Sequence, residues 1–120
     1  MLLVTGRRSG RWMIPKGWPI HGKSLATAAA QEAFEEAGVE GRIDSKPLGT
    51  FRHTKQNLPV GLLDVSIVVH PLAVDRELAD WPEHGQRERK WFSIKQAAQS
   101  VDSDELKRII RELKGRLLRG

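Results

Sequence analysis

Glu32, Glu35 and Glu36 are the residues whose types and spacing could do chemistry. They stand at i, i+3 and i+4, so on an α-helix they share one face, with Cβ atoms about 5–6 Å apart. Three like charges there cost roughly a few tenths of a kcal/mol per pair unless a cation sits among them. A hard divalent ion is a natural remedy. Mg²⁺ and Mn²⁺ prefer oxygen ligands in octahedral geometry and keep waters that a substrate phosphate can replace. The commoner explanation of an acidic triplet is a solvated helix face, and the triplet alone leaves both readings open.

The elements that would position these residues are legible nearby. Ser24 is suited to N-cap a helix from about Leu25 to Ala37, a segment rich in alanine, and Gly38 is suited to end it. Leu25, Ala29 and Ala33 recur at i, i+4 and i+8, with Ala26, Ala30 and Phe34 on the adjoining row; small side chains there would let the helix lie close to a sheet. Ahead of the helix, Lys16 to Lys23 is a loop broken by Gly17, Pro19 and Gly22. A glycine at position 17 would let main-chain carbonyls approach an ion closely.

Further out, Leu2–Thr5 and Trp12–Ile14 read as short strands. Strands are expected around Ile43, from Leu48 to His53 and from Val60 to Leu72, the last the richest in β-branched residues. Asp75 to Gln86 reads as polar and irregular, and Arg89 to Phe92 as a short strand. Ser93 caps a short helix over Ile94–Val101, and Asp104 begins a last helix with Leu106, Ile109, Ile110, Leu113 and Leu117 at helical spacing. This order suggests an α/β fold, a mixed sheet covered on both faces, in a single domain over residues 1–120.

Composition narrows the partners. Hydrophobic residues make up 39% and charged residues 29%, a globular mix rather than a disordered one. There is no cysteine, which excludes disulfides and thiolate metal sites and fits a cytoplasmic location. No apolar run approaches the ~20 residues of a membrane span, so no membrane partner is expected. The net charge of +5 suits an anionic partner, and equally a plain basic surface. Without a concentrated basic stripe or a binding motif, a nucleic-acid partner ranks low. The oligomeric state is left open.

The stretch from Gly17 to Val39 resembles the signature of the Nudix hydrolase family, G-x5-E-x7-R-E-U-x-E-E-x-G-U with U apolar. Gly17, Glu32, Ala33, Glu35, Glu36, Gly38 and Val39 fall in register. Pro15-Lys16-Gly17-Trp18-Pro19, Trp81-Pro82-Glu83 and Gln86 to Ser93 extend the likeness, toward a bacterial Nudix group related to the diphosphoinositol-polyphosphate phosphohydrolases and dinucleoside-polyphosphate enzymes. The resemblance implies a Nudix-type α/β/α sandwich. The family commonly opens with a strand ahead of Leu2–Thr5, so either the start lies upstream or the sheet is one strand short.

The resemblance also implies roles. Glu35 and Glu36, with the Lys16 carbonyl, would hold Mg²⁺ or Mn²⁺, and Glu32 would bind metal or act as general base. A further glutamate from a distal loop would be Glu88, or second Glu83. Arg7, Arg8, Lys16, Arg52 and Lys55 would meet the phosphates of an anionic small molecule, and arginine suits bidentate phosphate contacts. His53 and the four tryptophans Trp12, Trp18, Trp81 and Trp91 are weaker candidates for stacking, with core or rim packing expected of Trp91 above all. The chain has no tyrosine, so the one that follows the box in many dinucleoside-polyphosphate enzymes is missing. Lys55 stands where ADP-ribose enzymes often carry a proline.

Two positions depart from the signature: Lys23 replaces its first glutamate and Gln31 its arginine. In the family that arginine helps orient the helix glutamates, and loss of such support typically costs about 10–100-fold in metal affinity or activity. Metal-dependent phosphoanhydride hydrolysis is therefore the leading expectation. A catalytically weakened Nudix-fold nucleotide-binding or regulatory module is the alternative.

Overall fold

The computed structural model describes residues 1–57 and 61–119, with side chains over 1–54 and 61–117. Among them are seven strands and three helices: β1 (Leu2–Thr5), β2 (Trp12–Met13), α1 (Leu25–Ala37), β3 (Val39–Ile43), β4 (Gly49–Asn57), β5 (Gly61–Val69), β6 (Leu72–Glu77), β7 (Arg89–Trp91), α2 (Ile94–Ser100) and α3 (Asp104–Arg119).

The α/β class and most boundaries agree with expectation because their signals are local. Ser24 caps α1, its side chain accepting from the Thr27 N–H at 3.1 Å. Gly38 ends the helix at φ 64°, and its N–H reaches back to the Phe34 carbonyl. Ser93 and Gln96 exchange hydrogen bonds as a capping box at the start of α2.

The strands form three small sheets, ordered β2-β1-β7, β3-β6 and β4-β5, with every pairing of these strands antiparallel. Successive residues of a strand face opposite sides, and β1 uses both. Leu3 packs with Ile14, Phe51 and the apolar faces of α2 and α3, including Ala97, Leu106 and Ile110. Val4 packs with Ala33, Ala37 and Val39 beneath α1. The central strand is thus covered by helices on both faces.

Three expectations are corrected. The apolar run from Val60 to Leu72 is not one strand: β5 stops at Val69, and β6 begins at Leu72 after Pro71, which has no N–H to extend a ladder. Part of the stretch read as irregular belongs to β6, which pairs with β3 through a register shift at Glu40/Gly41. Polar residues such as Asp75 and Arg76 hid that strand, since its partner lies far back in the chain. The row of α1 that is buried is Ala26, Ala28, Ala33, Glu36 and Ala37, with Leu25 half-exposed. The helix is therefore turned so that a glutamate, rather than a leucine, faces inward.

Candidate active site

The turn of α1 places Glu36 on its inner face, 3% exposed. A buried carboxylate needs compensation, and three groups supply it. The Lys16 N–H points at Oε1 at 3.4 Å, Arg87 Nη2 stands 3.7 Å from the same oxygen, and the Glu32 side chain shares a hydrogen bond with Glu36. Burial, then that shared hydrogen bond, push the Glu36 carboxyl up to about 8, against the pull of the Arg87 charge. Two carboxyl groups can share a hydrogen bond only if one keeps a proton.

Gly17 closes the site from the loop side. A Cβ built there would lie 2.5 and 2.6 Å from the two Glu32 carboxylate oxygens, so a side chain at position 17 would displace that carboxylate. Gly38 is constrained twice. Its φ is 64°, and a Cβ would sit 2.5 Å from the Trp81 indole. Trp81 donates from Nε1 to the Glu36 carbonyl at 3.2 Å. Arg89 lies over the Trp81 ring at 4.1 Å and donates to the carbonyls of Ala37, Gly38 and Leu78. The C-terminus of α1 is thus clamped by groups from beyond β6.

Glu35 faces a different neighbourhood. It accepts from Gln31 Nε2 at 3.3 Å, and Gln31 Oε1 accepts from Lys23 Nζ at 2.7 Å. The two departures from the signature therefore bond to each other and connect to a box glutamate. Among the described residues, no three His, Cys, Asp or Glu side chains converge as a ready metal cage. The pair that meets is Glu32 and Glu36.

A cleft of about 1450 Å³ opens beside Glu32, lined among others by Lys16, Gly17, Trp18, Leu25, His53 and Val65.

The NUDIX domain model matches residues 1–113. The chain belongs to the Nudix family. Nudix hydrolase 12, mitochondrial, of Arabidopsis thaliana is 31% identical over 115 residues, covering 93% of this chain and 57% of that protein. Nudix hydrolase 16, mitochondrial, of the same plant is 36% identical over 105 residues, covering 83% and 57%. Diphosphoinositol polyphosphate phosphohydrolase 3-beta of Bos taurus is 30% identical over 99 residues, covering 81% and 56%. The chain thus spans a little over half the length of these relatives. The fold is also that of a C. elegans Ap4A hydrolase in a binary complex, at a TM-score of 0.69 and 20% identity over 99% of this chain and 86% of that one.

The expected phosphate-contacting residues of this Nudix domain are scattered. Lys16 lines the cleft, but Arg7, Arg8 and Arg52 are not among its lining residues. Arg7 bonds Gln86 at 3.2 Å and stands 3.7 Å from Glu83; Arg8 and Arg52 are exposed. The Lys55 side chain lies outside the described residues. Glu88 is exposed, while its main chain is tied to Thr5 in both directions. Glu83 is the distal glutamate joined to the box, because Arg87 links it to Glu36 and its N–H donates to the Glu35 carbonyl at 3.0 Å. Trp91 is at the rim, half-exposed, donating to Glu77 at 2.8 Å. Sequence reasoning missed Arg87. Its only signal was a cation in a loop that shares the family likeness.

Proposed function

We propose that this Nudix domain, read as one unit over residues 1–120, hydrolyses a phosphoanhydride bond with Mg²⁺ or Mn²⁺. Its substrate would be a nucleoside-diphosphate-linked or polyphosphorylated small molecule. The observation that carries this reading is the Glu32–Glu36 pair packed under Gly17. The site fits a hard cation. Its donors are carboxylate and carbonyl oxygens, and two adjacent acids, one of them buried, that share a proton would exchange it for a divalent ion. Glu32, Glu36 and the Lys16 carbonyl would hold the ion, with Glu35 as the next donor on α1 and Glu88 as a donor from the distal loop. When bound, the ion polarises the phosphoryl oxygen and offsets charge that builds in the transition state.

The chain's own residues do the rest. Glu32 borders the cleft and would bind the ion or take a proton from an attacking water. Lys16, which also lines the cleft, would draw polyphosphate into it, with Arg7, Arg8, Arg52 and Lys55 as outer basic residues. A relative named as a diphosphoinositol polyphosphate phosphohydrolase supports a polyphosphorylated substrate, which suits this basic chain. The test is release of phosphate or nucleotide from dinucleoside polyphosphates, ADP-ribose and diphosphoinositol polyphosphates with Mg²⁺ or Mn²⁺. Hydrolysis that Glu36→Gln abolishes is the expected result.

The Lys23–Gln31–Glu35 chain favours a second reading, a nucleotide-binding module with weakened catalysis. Nucleotide binding without release of phosphate under either metal would establish it.

A further inference from the structure

Helix α1 carries three glutamates and not one Lys or Arg between Leu25 and Ala37. Counter-charge must come from elsewhere, and two such contacts stand out among the described residues. Lys23 reaches Glu35 indirectly, through Gln31. Arg87 reaches Glu36 directly, with only 10% of its side chain exposed.

The Arg87 guanidinium is held by groups that do not belong to α1. Nε donates to Glu83 at 2.9 Å, and Nη1 donates to the Thr5 carbonyl at 3.1 Å. Thr5 ends β1 and is bonded to Glu88, the residue after Arg87, through its N–H at 3.0 Å and its hydroxyl at 2.9 Å. A guanidinium presents its donors in a rigid fork. Two anchored nitrogens therefore fix where the third stands, and that is beside Glu36 Oε1. The Lys16 N–H approaches the same oxygen.

We propose that Arg87 is a positioning residue for Glu36: from the loop before β7 it supplies the cation that α1 lacks, and it sets the carboxylate in the orientation that receives a divalent ion. The inference rests on the metal-dependent reading above. A different role would have the opposite signature. If Arg87 merely neutralised Glu36 as a stand-in cation, it would compete with the ion, and its removal would tighten metal binding. A positioning role predicts that removal weakens it.

The deciding experiment titrates Mn²⁺ alone into the full chain, following the free-ion paramagnetic resonance signal, for the wild type, Arg87→Met and Arg87→Lys. Methionine keeps an apolar stem without charge. Lysine keeps the charge but not the fork. Arg87→Met should weaken Mn²⁺ binding by about 10–100-fold, with Arg87→Lys between it and the wild type. In hydrolysis assays at saturating Mn²⁺, the variants should recover kcat with KM unchanged. Mn²⁺ binding by Arg87→Met as tight as wild type, or tighter, overturns the proposal. So does an Arg87→Lys that binds Mn²⁺ as tightly as the wild type, since charge without the fork would then suffice. Should Arg87→Met not fold, Arg87→Lys binding Mn²⁺ like the wild type overturns it by itself. A wild type that binds Mn²⁺ yet hydrolyses nothing in the substrate panel defeats the hydrolase reading alone, and the order of the three Mn²⁺ affinities still decides Arg87.

Discussion

Gly17 rests against the Glu32 carboxylate so closely that a Cβ would stand 2.5 Å from one of its oxygens. Gly17 is not among the glycines with positive φ, so a side chain there would act by displacing the Glu32 carboxylate and not through backbone conformation. Gly17→Ala should push Glu32 aside and lower Mn²⁺ affinity and kcat/KM by about 10-fold or more. The melting temperature should move little, because position 17 is exposed. Mn²⁺ titration beside thermal melts of the same variant checks this.

At Gly38 both conformation and space oppose a side chain. A residue there meets a φ of 64° and the Trp81 ring, which also carries the bond to the Glu36 carbonyl. Gly38→Ala should destabilise the fold by about 1–3 kcal/mol, read as a lower midpoint in urea unfolding.

The buried Glu36 makes stability depend on pH. Its carboxyl titrates near 4.5 in an unfolded chain and at about 8 in the folded one. Between those values the folded state holds a proton that the unfolded state has released, so stability falls as pH rises. The contribution is complete below pH 4.5 and lost as pH passes 8. With a chelator present, the wild type should melt lower at pH 8.5 than at pH 5. Glu36→Gln should flatten that slope and melt higher at pH 8.5.

Lys23 and Gln31 form a replaceable pair. Gln31→Arg alone would bring a guanidinium against the Lys23 ammonium, which now lies 2.7 Å from the Gln31 carbonyl oxygen. Adding Lys23→Glu should relieve the repulsion. The coupling should be about 0.2–1 kcal/mol, as befits an exposed pair, and urea unfolding of the two single variants and the double variant measures it.

Much of the site is legible in the sequence. Ser24, the alanine run and Gly38 bound α1 correctly because caps and stops act within a few residues. The register of Gly17 with the glutamates survived as a physical contact. Strand β6 was not legible, since polar residues cover it and its partner β3 lies far back in the chain. Arg87 was also illegible: no periodicity relates it to α1, and its place depends on how Thr5 and Glu83 are themselves placed.

The sequence by itself determined that three glutamates share one helix behind a glycine loop, because helix spacing and capping are short-range. Only the tertiary structure decided which of them meet. Packing turned α1 so that Glu36 is buried against Glu32, Lys16 and Arg87, while Glu35 turned to Gln31. The rotation of a helix about its axis is set by the surfaces that cover it, and here those come from β1, β3 and the loop ahead of β7.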